Sequence, residues 1–566
     1  MKPMKIISDL SICTPASALA PGDAPKKGCW RVVDFETDEG LAGKMLYAAP
    51  EDDAPEITLP LNIVGPHAIY VGINYTRSAH GDLMHYTEFP LYGTLWAKLS
   101  SDPGFSRFAT EAYWRHGAHL PSKIGSAWSS IHETYWKSAD LTGQSIVVRP
   151  PAAPYDKIGV TNVTNLSYVK VVPLDPDELA RQSPPSAPDT RRLAILFCTG
   201  MLTGHTSGTD PYHPTDAQWI RDELAPVLDN DFGIVSWEAI RGNLCTFRTS
   251  IGDFGTEDGQ WNPDWIDPLA EATRVAHEHG LKIFVSARMI GASLPVVRRP
   301  IQWAKNYWSR RDLAKRDPEG IPGSNLSIAY PEVRQFWVSL MREALDLHGC
   351  DGAQLHLNRG FPFVLYEEPS ASAFRKRFGA DMRDVAPDDP RMLEHQASIV
   401  TQLLREFRAM LDEKPGRALA VTLIAGEYGS MNPVDPLTTG CDVEAWVRER
   451  LVDYLMPTPA VDLDAIRTWK SLGGDRVRIY PDLMPRTQPG EMYARLARRY
   501  YDAGADGFCI WDGERRCPRA SEWAVVRRLG HRDALDDLER EAPDYFRRIP
   551  LKTLNGMSVK YSFNDG

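Results

Sequence analysis

Gly349-Cys350-Asp351-Gly352-Ala353-Gln354-Leu355-His356-Leu357-Asn358-Arg359-Gly360-Phe361-Pro362 decides how the rest of the chain is read. Apolar Ala353, Leu355 and Leu357 alternate with Gln354, His356 and Asn358, the period-2 pattern of a β-strand. A helical pattern precedes it from Glu332 to Leu347, with apolar Val333, Phe336, Trp337, Leu340, Ala344 and Leu345. A helix feeding a strand that ends in His, Asn and Arg is the repeating unit of a (β/α)8 barrel, in which the C-terminal strand ends carry the chemistry.

Working outward, the same unit recurs from Arg191 onward. Eight strands are predicted: Leu193–Cys198, Gly233–Trp237, Lys282–Ser286, Gly352–Leu357, Leu419–Ile424, Leu451–Met456, Arg476–Tyr480 and Gly507–Trp511. Amphipathic helices are predicted between them, among them Asp216–Val227, Asp267–His279, Pro390–Asp412 and Pro489–Ala503. The long gap between the third and fourth strands predicts an enlarged loop at the cleft, with the Trp303 to Trp308 segment in it. Before Pro173 the pattern differs. Short runs such as Trp30–Phe35, His67–Ile73 and Ser167–Val172 are separated by Gly, Pro, Asn and Asp, as in a sandwich. Most of the dense aromatic residues there are expected in its core. The fold class is therefore α/β, a (β/α)8 TIM barrel preceded by an all-β, jelly-roll-like sandwich. The domains are 1–175 (sandwich, carbohydrate-binding-like), 176–190 (Pro- and Ser-rich linker), 191–533 (barrel) and 534–566 (a charged, solvated tail).

Composition narrows the function. A net charge of −11 over 566 residues argues against a general nucleic-acid binder. No run of about 18 apolar residues exists, so no membrane helix is expected. The weak apolar stretch before Ala18-Leu19-Ala20 argues against a signal peptide, so a cytoplasmic chain is expected. A secreted or periplasmic one with its signal peptide removed is the alternative. The eight cysteines form no C-x-x-C pair and read as reduced core thiols. A homo-oligomer is compatible with all of this.

The strand ends supply the candidate site. They offer Trp237, Glu238, Arg241 and Asn243; Arg288; His356, Asn358 and Arg359; Glu427 and Tyr428; Tyr480, Asp482 and Arg486; and Trp511, Asp512 and Glu514. His205 and His213 follow the first strand. Carboxylates, donors and indole rings converging on one barrel face are what sugar chemistry requires. His356 and Asn358, two apart, share a face in a regular strand, and their polarity favours the interior. Arg359 then points outward unless the strand has ended. Asp351 and Asp506 precede Gly at strand starts, the stabilising bottom face.

Three stretches also resemble a known family. Asp351–Gly360, Gly440–Asp453 and Ala503–Asp512 are similar to motifs of the family 10-like glycosyl hydrolases, barrel proteins of bacterial polysaccharide metabolism. The resemblance spans roughly Arg191 to Leu529 and implies glycosidic bond hydrolysis. It also implies a strand-end role for Arg359 in holding substrate or orienting a carboxylate. One departure stands out: many relatives carry Asp where this chain has His356.

The expectation is a glycoside hydrolase acting on an oligo- or polysaccharide without a cofactor. Glu427 and Asp482 are its acid/base pair and Asp512 a third candidate. Trp237, Glu238, Arg288, His356, Asn358, Arg359, Tyr428, Tyr480 and Trp511 are expected to bind substrate. Two alternatives stay open. A metal-dependent sugar isomerase or epimerase could hold an ion on Glu238, His356, Glu427, Asp482 and Asp512. A non-catalytic carbohydrate-binding protein would fit the missing Asp.

Overall fold

The computed structural model describes residues 3–49, 52–76, 95–108, 129–150, 164–197, 217–242, 244–252, 261, 263–288, 310–428, 431–459, 461–483, 490–511 and 520–558. The barrel strands are Leu193–Phe197, Phe232–Arg241, Lys282–Arg288, Gly352–His356, Ala418–Ile424, Tyr454–Thr458, Arg478–Ile479 and Phe508–Ile510. They pair in parallel in that order, and the last pairs with the first. A parallel bridge between Asp482 and Cys509 links the seventh and eighth strands and closes the ring. Helices alternate with the strands, including Ala217–Leu228, Pro331–His348, Pro390–Asp412 and Gly490–Asp502. Among the described residues no helix is long and apolar enough to cross a membrane.

Side-chain alternation splits each strand between two cores. Ile195, Val235, Val285, Leu355, Val421, Leu455 and Ile510 face the helices in one large cluster. Ala194, Ile234, Phe284, Ala420, Tyr454, Tyr480 and Cys509 fill the barrel's floor. The Asp-Gly pairs are explained by this floor. A side chain on Gly352 would meet the Phe284 ring and the Ala418 carbonyl, and one on Gly507 would meet the Tyr480 ring. Each preceding Asp bonds a neighbouring strand: Asp351 accepts from the Ile283 amide at 2.8 Å and Asp506 from the Ile479 amide at 2.9 Å. Asp453 does the same for Leu419 at 2.7 Å. These carboxylates pin strand starts at the bottom of the barrel, as expected for Asp351 and Asp506.

The N-terminal part forms two sheets with a shared core, antiparallel apart from the parallel pairing of Leu19–Pro21 with Trp30–Thr37. Ile57, Leu59, Ala97 and Val148 of the shorter sheet pack with Ile69, Val71, Val169 and Val171 of the longer. Trp96, Tyr135 and Trp136 are buried, as expected for most of these aromatics. The described cysteines Cys13, Cys29, Cys245, Cys350, Cys441 and Cys509 are buried thiols.

Two expectations about the connecting segments are corrected. The linker holds a helix, Pro176–Gln182, started by a reciprocal capping box between Asp175 and Glu178. The charged tail is not a solvated cap. Leu535, Leu538, Ala542 and Tyr545 are buried against the barrel helices. The strand Phe546–Leu554 then lies between Ser129–Asp140 and Trp30–Thr37 in the middle of the longer sheet. Ile549 and Leu551 of this strand are buried, while Arg547 and Lys552 are exposed. The all-β part is thus assembled from both ends of the chain.

Candidate functional site

The site builds up from the upper interior of the barrel, above the apolar floor. Strand positions that point inward here are polar: Ser236 and Glu238 on the second strand, Ser286 and Arg288 on the third, Gln354 and His356 on the fourth, and Thr422 on the fifth. Gln354 donates to the Thr422 hydroxyl at 2.6 Å. Above them, Trp511 follows the eighth strand and is nearly fully buried, packed on Leu196.

His356 meets the Trp511 ring edge-on, with centroids 4.8 Å apart and planes at 89°. The Arg288 and Arg359 guanidinium groups lie 5.4 and 5.6 Å from the same ring, within cation–π range. The fourth strand ends at His356, so Arg359 is free of the ladder's alternation and reaches back over the mouth. Arg241 and Arg288 both grip Glu238: Arg241 at 2.5 Å and Arg288 at 3.1 Å, with Glu238 fully buried. Burial first, and then the charges of Arg288, Arg241 and Arg359, hold the His356 imidazole well below the ordinary histidine value. It is neutral at pH 7.

Asp482 is fully buried beneath Trp511. It accepts from the Thr458 hydroxyl at 2.8 Å and from the Trp511 backbone amide at 3.4 Å. Among the described residues, both ring nitrogens of His356 and both amide atoms of Asn358 lack a hydrogen-bond partner. The Ser236 and Ser286 hydroxyls and the Gln354 carbonyl oxygen lack one as well. All of these residues are almost fully buried.

The structure thus brings together Glu238, Arg288, His356, Arg359 and Trp511, with Arg241 added and Asp482 joined through the Trp511 amide. Two expected substrate contacts sit elsewhere. Trp237 alternates outward and packs on Phe197 in the helix-facing core, with centroids 5.7 Å apart. Tyr480 lies in the floor, edge-on to Tyr454 at 5.5 Å. The Gly426–Tyr428 strand pairs with Met431–Val434, which puts the Glu427 backbone in a hairpin just after the fifth strand. The side chains of Glu427 and Tyr428 lie outside what is described, as do Asp512, Asn243, Arg486, Glu514, His205, His213 and the Trp303 to Trp308 segment.

Sequence reasoning missed Lys315. It comes from a hairpin in the long third loop, Ala314–Arg316 paired with Pro322–Leu326. Its ammonium donates to the carbonyls of Gly360 at 3.2 Å and Pro362 at 2.7 Å, clasping the turn that carries Arg359. Burial pushes its pKa down to about 8 despite the nearby Glu367 charge. Only the length of the third loop hinted at such a contact. Among the described residues, no group of three or more His, Cys, Asp or Glu is placed to hold a metal ion.

No family model matches the chain, and no curated protein matches it. The resemblance to the family 10-like glycosyl hydrolases therefore rests on its three motifs. Solved structures to which the chain is similar include α-L-fucosidase isoenzyme 2 from Paenibacillus thiaminolyticus, at 12% identity and a TM-score of 0.39 over 62% of this chain and 49% of that one. The exo β-N-acetylglucosaminidase from Vibrio harveyi aligns at 11% identity and TM-score 0.34, over 67% and 61% of the two chains. The PgaB glycoside hydrolase domain from Bordetella bronchiseptica aligns at 12% and 0.39, over 62% and 98%. The alignment spans about half the length of the fucosidase and nearly all of the PgaB domain.

Proposed function

We propose that this chain is a glycoside hydrolase that binds an oligo- or polysaccharide at the C-terminal mouth of its barrel. One observation carries the reading: buried donors and acceptors on His356, Asn358, Ser236 and Ser286 that no described residue meets, with His356 against the Trp511 ring. Leaving such groups unmet costs about 1–3 kcal/mol each. A sugar hydroxyl both donates and accepts, so a ring of hydroxyls answers the imidazole, the amide and the serines together.

Two carboxyl groups would do the chemistry. Asp482 is held by two donors, which suits a fixed base or nucleophile. Glu427 is the proposed acid and Asp512, next to Trp511, the third candidate. Glu238 is assigned a holding role, because two arginines already grip it. A glycan and aryl-glycoside screen tests this, run on wild type beside Glu427→Gln and Asp482→Asn, each with and without EDTA. Turnover lost in both variants and untouched by EDTA is the expected result. Turnover unchanged in both variants would refute the assignment, and EDTA-sensitive turnover would favour a metal-dependent isomerase.

A second reading has its own support. His356 stands where many members of the resembled family carry Asp, and the described carboxylates of the interior, Glu238 and Asp482, are both engaged by protein donors. A non-catalytic carbohydrate-binding protein fits these facts. Binding without product from any glycan would favour it.

A further inference from the structure

Resting on the carbohydrate reading above, we propose that Lys315 is a positioning residue: it acts through the turn after the fourth strand to set the Asn358 amide where the sugar binds. The fourth strand is bonded to the fifth as far as Leu357, whose amide donates to the Thr422 carbonyl at 2.7 Å. Asn358 and Arg359 come next, past the last of those bonds, and Gly360 follows in the left-handed region at φ +79°. Asn358 is 1% exposed, and neither polar atom of its carboxamide has a hydrogen-bond partner among the described residues. An amide that bonds to nothing nearby takes its place from its backbone and its packing. What holds that backbone therefore decides where the amide points.

Lys315 is buried in the third-loop hairpin and gives hydrogen bonds to two carbonyls of this one turn, Pro362 at 2.7 Å and Gly360 at 3.2 Å. Its neighbour in the hairpin is tied to the same segment through the main chain. The Arg316 amide donates to the Glu367 carboxylate at 3.3 Å, and the Arg316 carbonyl accepts from the Tyr366 amide at 3.0 Å. Glu367 is fully buried and also accepts from the Leu365 amide at 2.8 Å. These bonds dock the hairpin without help from a lysine. Burying an ammonium is costly, and an apolar side chain would serve a hairpin that needed only packing. Lysine adds reach and donors enough to gather two carbonyls two residues apart, in the turn that begins at Asn358. The cost of its burial is accounted for by the place it gives that turn.

The test begins without ligand. Amide hydrogen exchange of the full chain is compared for wild type, Lys315→Met and Lys315→Gln, the last polar but too short to span both carbonyls. Two variants are used so that the failure of one to fold leaves the other. Exchange across 357–364 is expected to quicken about tenfold, as for the loss of a charged hydrogen bond, with Ala418–Ile424 unchanged. Unchanged exchange at the turn overturns the proposal. Calorimetric titration with methyl glycosides and disaccharides of the gluco, galacto and manno series follows. The tightest of these is expected to bind Lys315→Met about tenfold more weakly than wild type. It is expected to bind Lys315→Met/Asn358→Leu as it binds Asn358→Leu alone. Lys315→Arg, which keeps the charge and the donors, is expected to recover most of the affinity. Losses that add in the double variant, or that follow melting temperature with arginine included, overturn the proposal in favour of a purely structural lysine. Faster exchange at the turn in a chain whose wild type binds none of these sugars overturns the carbohydrate reading and leaves the Lys315 clasp standing.

Discussion

The seam between the sheets and the barrel and the mouth of the barrel both bury charged and polar groups, but they treat them in opposite ways. At the seam, opposite charges meet across the two parts. Arg107 of the shorter sheet pairs with Glu223 of the first barrel helix at 3.1 Å, and both are almost fully buried. Arg149 reaches Asp222 at 2.5 Å, and Lys137 bridges Asp102 and Asp229 at 2.7 and 2.6 Å. Arg527, from the last barrel helix, adds a second cation to Asp229 at 2.9 Å. At the mouth, Arg241 and Arg288 grip one carboxylate, Arg359 lies by the Trp511 ring, and a neutral His356 and Asn358 keep hydrogen-bonding capacity that no described residue uses. Burial of polar groups is costly in both places. At the seam the partner is the protein, so the charges bear on stability. At the mouth no described residue is the partner, and on the proposed reading a ligand is, so that the same cost would be carried for binding.

The largest effect should come from the strand that closes the sheet side of this comparison. Truncation before Phe546 opens the edges of Ser129–Asp140 and Trp30–Thr37 together. Loss of soluble, folded protein is expected, measured by yield and far-UV circular dichroism. A truncated chain melting like wild type would show that the sheets do not need this strand. Next in size is Arg107→Met, which strips Glu223 of its cation in a dry setting. A loss of about 3–5 kcal/mol is expected in urea unfolding, and a change near zero would remove the seam's role in stability.

Acid pH sharpens the other side. The folded pKa of His356 lies below its unfolded value of about 6.5. Below that pH the unfolded chain takes up a proton that the folded chain refuses. Its contribution is therefore complete above about 6.5 and declines as pH falls, at about 1.4 kcal/mol per pH unit, until the folded pKa is reached. The difference in unfolding free energy between wild type and His356→Leu should therefore shrink as pH falls below about 6.5. A pH-independent difference would mean that the imidazole titrates alike in the folded and unfolded chain.

How much of this was legible in the sequence varies with the physics of each part. The barrel strands announce themselves through apolar blocks between amphipathic helices, and the Asp-Gly pairs at 351–352 and 506–507 mark strand starts because only glycine leaves room for the floor's rings. His356 and Arg359 stood out as polar residues at a strand end. The misplacements of Trp237 and Tyr480 share one cause. A buried parallel strand is apolar on both faces, so its sequence does not say which side chains point inward. Ile234, Val235 and Trp237 all read alike. The final strand was hidden for another reason. Its alternation is overlaid by Arg547, Arg548 and Lys552, and the strands it pairs with lie some four hundred and more residues earlier. No local pattern records such a pairing. Lys315 was hidden in the same way, since its partners are backbone carbonyls of a distant turn.

The most direct test of the central claim is to replace both unmet groups at once. Unfolding of His356→Leu/Asn358→Leu at pH 7 is measured alone and with the best-binding sugar. The double variant should match or exceed wild-type stability to within about 1 kcal/mol, because apolar groups there forfeit no hydrogen bond. The stabilisation that the sugar gives wild type should vanish. A large loss of stability with the sugar's effect intact would contradict the account, and would place His356 and Asn358 with the paired residues of the seam.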